Sequence, residues 1–245
     1  MAKSKKKRSK NNSSFFEHVK VVLSAVLLAL VVRSFIVEPY KIPSSSMVPT
    51  LLVGDYLFVD KMSYGIKIPF TDTRFFKEQP KRGDIAVFKR DDTKIPGSFF
   101  GLGSTYFIKR VIGLPGDEVA FINKRLYING QQIPLTDKNE TVVYENGGHE
   151  TSEARLYSED LLGVEHPVLI HPERGSRNVA VMSVPENHYV FMGDNRDNSH
   201  DARAWKYPSW GFIPHSALAG QAEFIFWSWG QDGLRSERLF KDLAE

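Results

Sequence analysis

The chain has 245 residues, 42% of them hydrophobic and 25% charged, which fits one ordinary globular domain or two small ones and excludes collagen-like, disordered and multipass classes. Thirty-two Lys and Arg oppose 29 Asp and Glu for a net charge of +3, but six of the cations (Lys3, Lys5, Lys6, Lys7, Arg8, Lys10) lie in the first ten residues. Without them the balance is 26 against 29, so no basic body for nucleic acid remains. Cysteine is absent, which removes disulfides, zinc-thiolate sites and a thiol nucleophile.

The basic tail covers residues 1–14. Beyond it, residues 21–32 (VVLSAVLLALVV) carry no charge; as a helix they rise about 18 Å, short of a hydrocarbon core of about 30 Å. Extended from Phe15 to Val37, the segment reaches about 34 Å and spans if Lys20 and Arg33 snorkel to the interfaces. Residues 33–43, RSFIVEPYKIP, contain no small-residue cleavage triplet, so an uncleaved anchor over 15–37 is expected. The positive-inside rule then places the N-terminus in the cytoplasm and everything after residue 38 outside.

From Asp55 the pattern changes to short β-branched and aromatic runs: DYLFVDK, GDIAVFK, TYFIKRVIG, DEVAFINKRLYING, HYVFMGD, AEFIFWSW. Asn129-Gly130 is a strong hairpin-turn signal, and Pro96-Gly97, Pro115-Gly116 and Gly147-Gly148 punctuate the rest. The pattern predicts a mainly β fold, with an antiparallel β-sheet core, an inserted smaller β lobe and one N-terminal transmembrane helix. The core is assigned to 38–120 and 186–245 and the lobe to 121–185; within it, 134–185 is richer in polar residues and loops. The role of that lobe stays open.

Several chemistries find little support. The seven histidines form no HExxH, and His166 and His171 each precede Pro in what reads as a loop. The acids from Asp194 to Asp201 lack the Gly and terminal Glu of a calcium loop. Gly101 and Gly103 have no third glycine for a phosphate cradle. No metal and no cofactor is expected. A serine cluster, Ser44-Ser45-Ser46, is held between Pro43 and Pro49 in extended or turn geometry; it reads as a linker or as a nucleophile awaiting a base. In TYFIKRVIG, a strand places Phe107, Lys109 and Val111 on one face and Ile108 and Arg110 on the other. Apolar neighbours would lower the lysine's pKa from its usual value near 10.4 and leave an amine able to accept a proton. A snorkelling strand-edge lysine is the plainer alternative.

Four blocks, PSSSMVPTLLVGDYLFVDK (43–61), RGDIAVFK (82–89), IKRVIGLPGD (108–117) and GDNRDNSHDAR (193–203), resemble those of bacterial type I signal peptidases, in the family's order and after a similar anchor. The resemblance runs over residues 38–220 and is weaker in the lobe. It selects Ser46 from the three serines as nucleophile and Lys109 as general base of a Ser/Lys dyad. It implies a serine endopeptidase that removes signal peptides from exported preproteins through an acyl-enzyme, on the outer side of the bacterial inner membrane. Partners would be those preproteins and the lipid bilayer, with no nucleic acid.

By the same resemblance, the Ser46 backbone N–H and the Ser44 hydroxyl form the oxyanion hole. Ser199 hydrogen-bonds and orients Lys109, Asp201 pairs with Arg203, and Gly193 and Asp194 shape the loop. Tyr40, Ile42, Leu51, Val87 and Ile108 wall the substrate pocket, although core packing explains them equally well. Trp227 and Trp229 read either as interfacial aromatics or, more simply, as core. Ser45 departs from relatives that often carry Gly. Two other readings are a self-cleaving repressor-type Ser/Lys protease, opposed by the anchor and by the lack of a helix-turn-helix, and an inactive membrane-tethered β module, opposed by the presence of both Ser46 and Lys109.

Overall fold

Apolar residues without charge favour a helix when no turn residues interrupt them, and α1 runs over Lys7–Phe35. Within it Phe15–Phe35, 21 residues of mean hydropathy 2.1, is long and apolar enough to cross a membrane. The helix stops two residues short of the expected Val37, because Val37 already pairs with Asp60 in the first strand. This computed structural model describes residues 7–68, 71, 73–90, 105–146 and 150–243; Lys3, Lys5, Lys6, Pro96-Gly97, Gly101, Gly103 and Gly147-Gly148 lie outside them.

Among the described residues, twelve strands of four or more residues organise the remainder: β1 (Val37–Lys41), β2 (Asp55–Asp60), β3 (Ile85–Arg90), β4 (Thr105–Gly113), β5 (Glu118–Ile122), β6 (Arg125–Ile128), β7 (Leu135–Glu145), β8 (Thr151–Asp160), β9 (Glu165–Ile170), β10 (Val179–Ser183), β11 (His188–Met192) and β12 (Leu218–Gly230). The largest sheet has the order β1-β2-β12-β3-β4-β11 and continues into the short strand Ile213–Pro214, and all of these neighbours are antiparallel. A four-stranded sheet joins β10, β5 and β6 to the short strand Gln131–Gln132, and β7-β8-β9 form a third sheet. The architecture is mainly β, as the sequence predicts.

Alternation along β3 explains the position of the core. Ile85 and Val87 enter one cluster with Ile42, Met47, Leu51, Leu57, Val59 and Ile225. Ala86 and Phe88 point the other way, into a cluster with Tyr64, Val111, Tyr189, Phe191 and Leu218. Because both faces are covered, β3 reads as a continuous apolar run. A further cluster joins Val119, Phe121, Leu126 and Ile128 of the four-stranded sheet to Ile112, Val190, Met192 and Trp210. The turn at Asn129-Gly130 has positive φ at both residues (52° and 77°), the geometry for which this dipeptide is suited.

The structure corrects three expectations. The polar stretch 134–185 is built largely of strands, with β7 and β8 in register from Leu135↔Glu159 to Glu145↔Thr151 around a bulge at Asp137/Glu140. Their alternation is hidden because most of β7 faces solvent on both sides. His166 lies buried within β9, an edge strand, and there Pro167 is tolerated. Trp227 and Trp229 are not core: they are 40% and 54% exposed, with rings stacked 6.5 Å apart.

Candidate active site

Ser46 belongs to a single 3-10 turn, Ser45–Met47, entered from the extended residue Ser44. Such a turn leaves its first N–H groups without helical partners. Ser45 and Ser46 are buried, whereas Ser44 is exposed. Lys109 reaches this turn from β4. Its cross-strand partner is Ala86, and it shares the strand face of Phe107 and Val111, beside the stacked rings of Phe88 and Phe107. Only 4% of the residue is accessible.

The amine Nζ lies 2.7 Å from Ser46 Oγ and donates to the Ile108 carbonyl at 2.8 Å, while Ser44 Oγ is 3.4 Å from Ser46 Oγ. Burial disfavours the ammonium and lowers the Lys109 pKa to about 8, although the Asp201 and Asp194 charges pull it upward. Those two carboxylates are themselves matched. Asp194 accepts from Arg110 Nε and Nη2 at 2.9 and 2.7 Å and from Thr50 at 2.5 Å. Asp201 accepts from Arg203 Nε and Nη2 at 2.9 and 2.7 Å and from the Gly193 N–H at 3.0 Å. Burial alone would raise both carboxyls, but the guanidiniums hold them below the usual range.

One predicted contact is absent. No hydrogen bond joins Ser199 to Lys109, whose second bond goes to the Ile108 carbonyl instead. Ser199 Oγ is buried over Gly193 and lies towards the Asp201 carboxylate without the geometry of a hydrogen bond. Gly193 has a packing reason to lack a side chain: a Cβ there would overlap the Ser46 carbonyl oxygen and Ser199 Oγ.

The five predicted wall residues are gathered in one cluster, with Ile42, Leu51 and Val87 buried and Tyr40 and Ile108 packed at its border. The rings of Tyr40 in β1 and Tyr106 in β4 meet edge to face at 5.5 Å, although four strand steps separate these strands in the sheet order, so the sheet curls. Among the described residues, β1 pairs only with β2, and β4 pairs with β11 only from Arg110 onward. Hence β1 and the first half of β4 both keep a free edge near Ser46.

Sequence reasoning missed a buried ionic chain behind this site. Arg196 forms a two-pronged pair with Glu159 of β8, His166 stands between Glu159 (3.1 Å) and Asp194 (3.5 Å), and Arg203 donates to the Arg196 carbonyl at 2.6 Å. Burial alone would raise Glu159, but Arg196 brings it down to about 2. The alternation that isolates Arg110 from Lys109 was a usable signal; nothing local in the sequence pointed to Glu159. Among the described residues, no group of three or more His, Cys, Asp or Glu is placed to hold a metal.

The chain is similar to proteins of one known family. A model of the family described as "Signal peptidase, peptidase S26" matches residues 15–227. The chain belongs to that family. It is a serine endopeptidase. It is 39% identical to a Signal peptidase I of Pseudomonas aeruginosa over 223 residues, covering 87% of this chain and 72% of that one. The Signal peptidase I of Rickettsia typhi is 32% identical, with 96% of both chains covered. A crystal structure of a signal peptidase I from Enterococcus faecalis aligns at 24% identity with TM-score 0.31, over 59% of this chain and 97% of that one.

Proposed function

We propose that the chain removes the leader from exported preproteins by Ser/Lys catalysis. The observation that carries this reading is the 2.7 Å separation of Ser46 Oγ from a buried Lys109 amine. A pKa of about 8 leaves roughly one such amine in ten neutral at pH 7, against about three in ten thousand for an exposed lysine. Ser46 Oγ attacks the scissile carbonyl carbon while its proton passes to Lys109 Nζ. The C–N bond then breaks, the leaving amine takes that proton, and an ester to Ser46 remains. Water attacks the ester, Lys109 takes a proton from it, and the Ser46 oxygen leaves and is reprotonated. The Ser46 N–H and the Ser44 hydroxyl stabilise the oxyanion in both steps. Of the histidines around the site, His166 Nε2 pairs with Glu159 at 3.1 Å, and His200 Nδ1 accepts from Trp205 Nε1 at 3.2 Å.

The leader enters as an extended strand between the free edges of β1 and β4, a form of strand addition. Its small side chains lie against Tyr40, Ile42, Leu51, Val87 and Ile108. Helix α1 holds the peptidase at the inner membrane, N-terminus inside, so the site faces leaders as they emerge on the outer side. The anchor joins the body through the Lys61 N–H on the Ile36 carbonyl (2.8 Å) and Lys61 Nζ on the Arg33 carbonyl (3.2 Å). Core and lobe divide as 38–120 with 186–245 and 121–185.

The test is cleavage of a preprotein by the full-length chain in detergent. Ser46→Ala and Lys109→Met should each lower turnover by more than about a thousandfold while melting as wild type. Near-normal turnover of either variant would reject the dyad. In spheroplasts, external protease should digest the body back to α1; a protected body would reverse the topology.

A further inference from the structure

The Ser45–Ser46 peptide presents the N–H that faces the developing oxyanion, and a peptide unit is planar, so whatever fixes the Ser45 carbonyl also fixes that N–H. The Ser45 carbonyl accepts from Asn195 Nδ2 at 3.1 Å and from the Val48 N–H at 3.2 Å. The Ser46 carbonyl accepts from the Asn195 N–H at 3.1 Å. These contacts come from the 193–203 loop and from the turn itself. The Ser45 side chain is held by that loop together with a different part of the chain. Ser45 Oγ donates to Asn146 Oδ1 at 2.6 Å, and Asn198 Nδ2 donates to both Ser45 Oγ (2.9 Å) and Asn146 Oδ1 (2.6 Å).

Asn146 directly follows β7, and its N–H donates to the Glu150 carbonyl at 2.9 Å. It therefore sits at the β7/β8 end of the three-stranded sheet, a hundred residues along the chain from the serine it holds. Ser45 is only 3% exposed, so its hydroxyl has little water to replace a lost partner.

We propose that Asn146 is a positioning residue: through the triangle Asn146–Ser45–Asn198 the β7/β8 hairpin holds the oxyanion N–H of Ser46 in its productive direction. This rests on the reading of Ser46 as nucleophile and adds to it a task for the three-stranded sheet. Interactions that align a transition-state donor are felt in turnover and not in substrate binding. A hairpin residue serving only to brace the fold would instead lower the melting temperature.

The experiment uses the full-length chain and one preprotein, with single-turnover and steady-state kinetics on Asn146→Ala, Ser45→Ala and the double variant. Inhibition by a peptide aldehyde, which forms a tetrahedral adduct on the serine, is measured alongside. Asn146→Ala should lower kcat about tenfold with KM within about twofold, and aldehyde affinity should fall by the same factor as kcat/KM. Ser45→Ala should show the same pattern, and adding Asn146→Ala to it should cost less than about a further twofold. Unchanged kcat, a loss carried by KM, a loss that tracks the melting temperature, or a full tenfold cost in the Ser45→Ala background would each overturn the inference. Ser46→Ala is run in parallel: if it is inactive while Asn146→Ala is normal, only the inference falls, and if it still cleaves, the reading beneath it falls.

Discussion

A lysine can serve as a base only when its surroundings make the ammonium expensive without supplying a bare counter-charge to stabilise it. At Lys109 both conditions are met by named residues: β3 and β4 bury the amine, and Asp194 and Asp201, the two nearby acids, are each taken up by an arginine. The glycine at 193 shows how little room is left. A Cβ there would meet backbone at Ser46, which cannot swing away as a flexible side chain can. Gly193→Ala should therefore lower kcat/KM at least about tenfold by displacing Ser46 from Lys109. Steady-state kinetics with a melting curve check this; full activity would show that the loop yields without cost. At this scale the sequence was informative, because strand alternation alone separates Lys109 from Arg110. It could not rank Ser44, Ser45 and Ser46, whose difference lies in which hydroxyl the turn brings to the amine. The motif supplied that choice.

Between elements, the chain of buried charges is what ties the 193–203 loop to the three-stranded sheet. Glu159 of β8 and Arg196 within the 193–203 loop are both almost wholly inaccessible. Removing one partner leaves the other charge stranded, which typically costs about 3–5 kcal/mol. Glu159→Gln should lower stability by that order in denaturant titrations, and a change below about 1 kcal/mol would show that Arg196 finds another partner. The acid dependence has a definite sign. Glu159 is held at about 2 against an ordinary 4.5, so its contribution is present above 4.5 and fades as pH falls towards 2. Asp194 and Asp201, also lowered, act in the same direction. Elements with strong apolar alternation, β2 to β6 and β11 to β12, were legible in the sequence. The β7/β8 hairpin was not, because most of β7 faces water on both sides and β8 is largely half-buried on both, so neither carries a clear period of two. The partners it supplies to the site, Glu159 and Asn146, were hidden for the same reason.

Across the whole molecule, the site exists only because four distant segments converge: the turn at 44–47 after α1, β4, the 193–203 loop and the β7/β8 hairpin. The N-terminal apolar helix and the mainly β class followed from hydropathy and punctuation. The curling that brings β1 towards β4 did not, since it depends on side-chain contacts such as Tyr40 with Tyr106. Burial of Lys109 is a property of this assembly, and it also carries a thermodynamic sign. A pKa lowered from 10.5 to about 8 penalises the fold below about pH 8, and the penalty disappears as pH rises towards 10.5. The most direct test of the account is the pH dependence of kcat/KM for preprotein cleavage by the full-length chain. It should rise tenfold per pH unit and level off with a midpoint near 8, the pKa of the free enzyme's base. A midpoint near that of an ordinary histidine, or a rise continuing unbroken to pH 10, would contradict a buried neutral lysine as the base.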